Sequence, residues 1–231
     1  MYYSKLAAPI LLVADCTQAP PLDLAEEVLG SEILAYARQY PSHAHALIWS
    51  RLIITTILSH YFPDEFEKAV IEDEFEDSVS CKGLPFKYAK IGATKGRVAI
   101  AMSTLPIFLS FKTYDTTNSM KELVRMRFSV IFNDWIDRQE NPELAFYHLW
   151  ALTDCLSQRG NPTVRAVIGD DDQLSVRGSS VMLRETFKFW SSSEWICAVQ
   201  GPALTTLLTA IRTPEDTIRL LRDIQSEKAG K

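Results

Sequence analysis

Apolar positions recur at helical spacing over most of the chain. From Asp23, the stretch DLAEEVLGSEILAYARQY carries a helical pattern that stops at Pro41, because a residue before proline is pushed out of the α region. Ser42 is placed to cap a second helix, SHAHALIWSRLIITTILSHYF, which is apolar almost all round and therefore predicts a central, buried helix. Pro63 and Asp64 open a third, DEFEKAVIEDEFED, with Phe66, Ala69 and Val70 on one face and an acidic run over residues 72–77. The strongest periodicity spans residues 118–139. Ser119 and Glu122 fit a capping box, and Met120, Val124, Phe128, Ile131 and Trp135 form one helical stripe. Asn141-Pro142-Glu143 restarts a helix through AFYHLWALTDCLSQR, ended by Gly160-Asn161-Pro162.

The pattern changes character near the middle and at the ends. Residues 86–91 and 97–102 flank GATKG and predict a β-hairpin, and residues 106–111 a third strand. Residues 6–14 are an apolar segment cut off by TQAPP, expected as a buried strand or a docking arm. Residues 169–180 predict a loop, SVMLRETFKFW a short helix, and Pro202 and Pro214 each the first position of a helix. The last helix would place Ile218, Leu221 and Ile224 on one side.

The expected fold is mainly α, a helical two-lobed domain with a small β element near residues 86–111. Its expected divisions are an arm or strand at 1–21, lobes at 22–115 and 116–212, and a C-terminal helix or arm at 213–231.

Composition narrows the class. A chain of 231 residues with 47% apolar residues buries roughly 72% of its unfolded surface, enough for one core or two lobes. Nine Gly and eleven Pro without a period exclude collagen-like and low-complexity chains. Cys16, Cys81, Cys155 and Cys197 lack metal-ligand spacing, which favours free thiols and a reducing compartment. The longest apolar runs, at 6–14 and 105–111, fall short of the roughly 18 residues of a spanning helix. The first 16 residues imitate a secretory segment, but Asp15 before Cys16 and Pro9 within the apolar stretch argue against one. A cytoplasmic protein without membrane contact is expected.

The net charge of −5 conceals opposed blocks. Residues 1–81 carry four basic and thirteen acidic groups, net −9. Residues 82–127 carry Lys82, Lys87, Lys90, Lys95, Arg97, Lys112, Lys121, Arg125 and Arg127 against Asp115 and Glu122 alone, net +7. The remainder is net −3. The basic block is interleaved with Phe86, Tyr88, Phe108, Phe111 and Tyr114. Cations that track phosphates, with aromatics for bases to stack on, are what sequence-tolerant single-strand binding requires. Arg184 and Lys188 are candidate contributors from the second lobe. The competing reading has the block pack against the acidic 64–77 helix or against a partner, so that the two charges neutralise each other.

No motif points to catalysis, metal or a cofactor. Gly92-Ala-Thr-Lys95-Gly96 lacks P-loop spacing and reads as a hairpin loop. His43 and His45 are two apart on a helix and cannot chelate together. His60 with Asp64 and Glu65 reads as a helix cap, the 72–77 run as a solvated acidic face, and His148 as a core or boundary histidine. Pro63-Asp64 lacks the downstream acidic-x-Lys step of a metal nuclease.

One resemblance bears on function. Trp135-Ile136-Asp137-Arg138-Gln139-Glu140-Asn141 resembles a stretch in small bunyavirus nucleoproteins. Fifty residues on, Glu185-Thr186-Phe187-Lys188-Phe189 is similar to another of their segments. The resemblance implies a two-lobed helical protein that sequesters single-stranded RNA in a groove and exchanges terminal arms between neighbours; no individual RNA contact transfers from it. The expected function is a non-catalytic single-stranded RNA-binding nucleoprotein or capsid-type assembly protein that self-associates. The alternative is a protein–protein adaptor or scaffold assembling through opposed acidic and basic surfaces.

Overall fold

The apolar stretch before TQAPP is a strand, Ile10–Asp15 (β1), and it is buried along almost its whole length. A computed structural model describes residues 9–39, 44–75, 77–94, 96–158, 164–178, 185–202 and 208–212, with Asp216, Arg219 and Arg222. The chain divides into two units, Met1–Ile107 with Thr206–Lys231, and Phe108–Thr205.

In the first unit β1 is followed by helices Leu22–Leu29 (α1), Ser31–Gln39 (α2), Ala44–Tyr61 (α3) and Pro63–Phe66 (α4). Strands Val70–Phe75 (β2), Ser78–Lys82 (β3), Tyr88–Thr94 (β4) and Arg97–Ser103 (β5) come next. With Leu208–Arg212 (β11, the last strand among the described residues) they form a six-stranded sheet ordered β11-β1-β5-β4-β3-β2. All neighbours are antiparallel except β1 and β11, where Leu12 lies opposite Ala210 in a parallel pair. Alternate strand residues (Leu12, Val79, Cys81, Ile91, Ile100 and Met102 among them) share one core with Trp49, Leu52, Ile53 and Leu58 of α3. The Trp49 indole donates to the Gln18 carbonyl at 2.9 Å, fixing the TQAPP turn to that helix.

The second unit has strand Phe108–Thr113 (β6) and helices Asn118–Arg125 (α5), Val130–Arg138 (α6) and Pro142–Gln158 (α7). Strands Arg165–Ile168 (β7), Leu174–Arg177 (β8), Glu185–Ser191 (β9) and Trp195–Pro202 (β10) complete it. Here β10 runs between β6 and β9, and β7 with β8 form a separate hairpin. Helix α7 lays Phe146, Leu149, Leu152 and Cys155 against Ile196 and Ala198 of β10 in one core.

This architecture corrects the expectation of a mainly helical fold. The chain is mixed α/β, with eleven strands in three sheets among the described residues. The hairpin at 86–102 is present as β4 and β5, but it is part of the larger sheet. The strand expected at 106–111 forms as β6 and pairs with β10 in the other unit.

The acidic 64–77 helix does not form; it stops at Phe66 and the chain continues as β2. A helix would have stacked carboxylates at i, i+4, a repulsive arrangement. The strand instead sends Ile71 to the core opposite Cys81 and Glu72 to the other face. The predicted helix through Phe187 is strand β9, in which Phe187 and Phe189 alternate inward at period two. The predicted 169–180 loop carries β8 instead, paired with β7. Pro202 ends β10 rather than opening a helix.

The long 118–139 helix is two helices. Thr117, not Ser119, caps the first by accepting from the Met120 N–H at 3.4 Å. Ser129 takes an extended conformation before the second, and Phe128 turns onto Phe146 with ring centroids 6.1 Å apart.

Ser42, His43, Lys95, Arg184, Pro214, Ile218, Leu221, Ile224 and residues 160–162 lie outside the described residues, as does the side chain of His60.

Candidate functional site

The boundary at Ile107 cuts the basic block in two. Lys82, Lys87, Lys90 and Arg97 belong to the first unit, while Lys112, Lys121, Arg125, Arg127 and Lys188 belong to the second. Lys95 and Arg184 are not among the described residues.

In the first unit, adjacent strands bring opposite charges together. Lys82 on β3 meets Glu72 on β2 at 2.7 Å, and Lys90 on β4 meets Asp77 at 3.5 Å. The acidic segment is therefore a neighbour of the basic one in the sheet rather than a separate helix. Arg97 stands opposite Asp15 in the β5–β1 register. The Asp15 carboxyl is held below its usual range first by the Thr17 hydroxyl and backbone N–H, at 2.6 and 2.8 Å, and further by Arg97. Lys87 is exposed and has no carboxylate within ion-pairing distance among the described residues.

In the second unit three more cations are paired: Lys112 with Asp154, Lys121 with Glu143, and Arg125 with Asp137. Each of the first two also sits on an aromatic face, Lys112 over Trp150 at 4.6 Å and Lys121 over Tyr147 at 5.4 Å. The hydrogen bond to Glu143 raises the Lys121 amine above its ordinary value, with burial opposing it. Half-buried ion pairs on aromatic faces hold helices α5 and α7 and strand β6 together, so these ammonium groups already have partners. Lys188 on β9 is half-buried. Arg127 is exposed, with no carboxylate within reach among the described residues.

Between α5, α6 and the start of α7 lies an open pocket of about 330 Å³. Lys121, Arg125, Glu122 and Glu143 supply balanced charge to its walls, and Ile136 and Phe146 an apolar surface. Among the described residues, no group of three or more His, Cys, Asp or Glu could hold a metal ion, and no helix is long and apolar enough to cross a membrane.

The most unusual surface is the bend between α5 and α6. Met120, Leu123, Met126, Val130 and Ile131 are all large, apolar and exposed, Val130 and Ile131 by 75% and 71%. Met120 and Ile131 belong to the helical stripe read from the sequence, of which Val124 and Trp135 are buried. Leu123, Met126 and Val130 lie outside the stripe. Residues 120–136 thus hold more apolar positions than one buried face can take, and that surplus was the available sign. Residues Trp135, Arg138 and Gln139 of the WIDRQEN segment close α6, and Phe187 to Phe189 of the second segment lie on β9. No family model matches this chain, and no curated protein matches it in sequence.

Proposed function

We propose that this chain is an assembly protein that acts through protein–protein contact, the adaptor or scaffold reading, with the α5–α6 bend as its contact surface. The observation that carries the reading is the run of five exposed apolar side chains between Met120 and Ile131. Isolated exposed apolar residues are ordinary, but such a cluster on one bend marks a contact site. The reading differs in one respect from assembly through opposed charges. Lys82 and Lys90 already meet Glu72 and Asp77 within the chain, so these opposite charges have partners without a second molecule. Sedimentation equilibrium in low and high salt tests it. Association that persists in high salt is expected, and a monomer under every condition would overturn it.

Single-stranded RNA binding is the second reading, favoured by exposed Lys87 and Arg127, which have no carboxylate partner among the described residues. It predicts co-purified nucleic acid and an RNA affinity that falls steeply with salt. A protein free of nucleic acid that binds no RNA at low salt would eliminate it.

A further inference from the structure

We infer that the α5–α6 bend is a two-fold interface with a second copy of this chain, its axis passing between Val130 and Ile131. The inference rests on the assembly reading above and names the partner and the geometry.

Val130 and Ile131 are both more than two-thirds exposed, and they begin α6. Met126 precedes them on the bend at 74% exposure, and Leu123 and Met120 extend the surface back along α5. Together the five expose on the order of 500 Å² of apolar surface, at the upper end of the largest patch an ordinary monomer carries. With a polar rim that is close to one partner's share of a standard interface, about 800 Å².

The charges at the rim point to the occupant. Arg127 lies three residues before Val130, and Asp134 three residues after Ile131. Both are exposed, and neither has an ion-pair partner among the described residues. An acidic partner would satisfy Arg127 and repel Asp134, and a basic partner would do the reverse. A second copy related by a two-fold satisfies both, because each Arg127 then lies opposite the other copy's Asp134. An isologous contact needs this self-complementarity. Neighbouring Arg125 and Asp137 are already paired with each other and add no net charge. The apolar centre supplies the association, while the two symmetric ion pairs fix its orientation.

The test uses the full chain in analytical ultracentrifugation over a wide micromolar range, with circular dichroism to confirm that each variant is folded. Wild type is expected to form a concentration-dependent dimer. Ile131→Asp is expected to be monomeric at every concentration; its side chain is exposed, so the fold has no need of it. Arg127→Asp and Asp134→Arg alone should each weaken the dimer at least tenfold, since each sets like charges opposite one another twice. An equimolar mixture of those two variants should recover a heterodimer of near wild-type affinity. A wild-type oligomer that survives Ile131→Asp and both charge variants would overturn this interface and leave the assembly reading standing. A wild-type monomer at all concentrations would overturn both. Recovery in the mixture is the result that a merely sticky apolar patch would not give.

Discussion

The indole N–H of Trp135 donates to the backbone carbonyl of Asp172, 37 residues further on, at 2.9 Å. Asp172 is also the one described non-glycine residue with a left-handed backbone, at φ 58°. Its carboxylate accepts from Gln139 Nε2 at 3.0 Å and from Arg138 at 3.4 Å. Three residues at the end of α6 thus hold the turn that joins β7 to β8. The segment that suggested a nucleoprotein resemblance has a local structural task within its own unit.

That geometry separates two kinds of cost. Asp172→Ala loses both carboxylate bonds and places a Cβ residue without local hydrogen bonding in the left-handed region, at about 1–2 kcal/mol for the backbone. Asp172→Gly loses the same bonds and accepts the conformation freely. Urea denaturation should therefore rank wild type above glycine, and glycine above alanine. Equal stability of the glycine and alanine variants would show that the backbone conformation carries no cost there. Trp135→Phe should lose about 1 kcal/mol by removing one hydrogen bond from an otherwise intact packing site.

Gln158, the last residue of α7, protects an edge. Its side-chain amide accepts from the Leu109 N–H at 3.3 Å and donates to the Leu109 carbonyl at 2.7 Å. Leu109 is at an edge of the β6-β10-β9 sheet, and its backbone groups would otherwise be unpaired templates for another strand. Gln158→Ala should accelerate hydrogen exchange at the Leu109 amide and cost about 1–2 kcal/mol. Gln158→Glu should be worse than alanine at neutral pH, because a carboxylate then faces the Leu109 carbonyl. Unchanged exchange at Leu109 in both variants would refute the bridge.

His148 gives the second unit a pH dependence of predictable sign. Its Nδ1 donates to the Leu144 carbonyl at 2.9 Å, and its ring meets Phe189 edge-on at 5.1 Å. Burial dominates and holds its pKa below the ordinary 6.5; the hydrogen bond opposes the shift. As pH falls below the unfolded value, the unfolded chain takes up the proton before the folded one does. Stability is therefore full above that value and declines as pH drops toward the folded pKa. Replacing His148 with Gln should remove this slope between neutral and mildly acidic pH, measured by urea denaturation at several pH values. An identical slope in the variant would place its origin elsewhere.

All four cysteines are free and buried. Desolvation pushes the Cys16 and Cys155 thiols up to about 12 and Cys81 to about 11, and raises Cys197 well above its ordinary value. Because the thiolate is the nucleophile, native protein should resist alkylation at pH 8, whereas denatured protein should label at all four positions. Mass spectrometry after iodoacetamide treatment reads this directly. Rapid native labelling at any cysteine would mean that its segment opens readily.

Local patterns were legible wherever one short stretch of chain set its own conformation. The hairpin at 86–102 is recognisable from two apolar runs around a glycine-containing loop. Helix α7 follows from Asn141-Pro142, where the Asn141 side chain accepts from the Leu144 N–H at 3.0 Å. The burial of α3 follows from its unbroken apolar surface. The stretches at 70–75 and 185–190 carry spacing that fits a helix because their residues tolerate either state. What makes them strands is a partner: β3 for the first and β10 for the second. Their apolar residues gain a core only at period two.

The sequence by itself determined the charge blocks, the absence of metal-ligand spacing among the cysteines and the helices at 44–61 and 142–158, because composition and short-range spacing set these. Only the tertiary structure decided what the charges do. Pairing Lys82 with Glu72, Lys112 with Asp154 and Arg125 with Asp137 depends on strand register and helix packing between residues 10 to 42 apart. No linear charge sum contains that information. The same holds for the apolar stripe of residues 118–139. Spacing alone places Met120, Val124, Ile131 and Trp135 on one face, but the break at Ser129 gives Val124 and Trp135 to the core and leaves Met120 and Ile131 in water. A side chain's environment is set by what packs against it, and that is fixed only when distant segments meet.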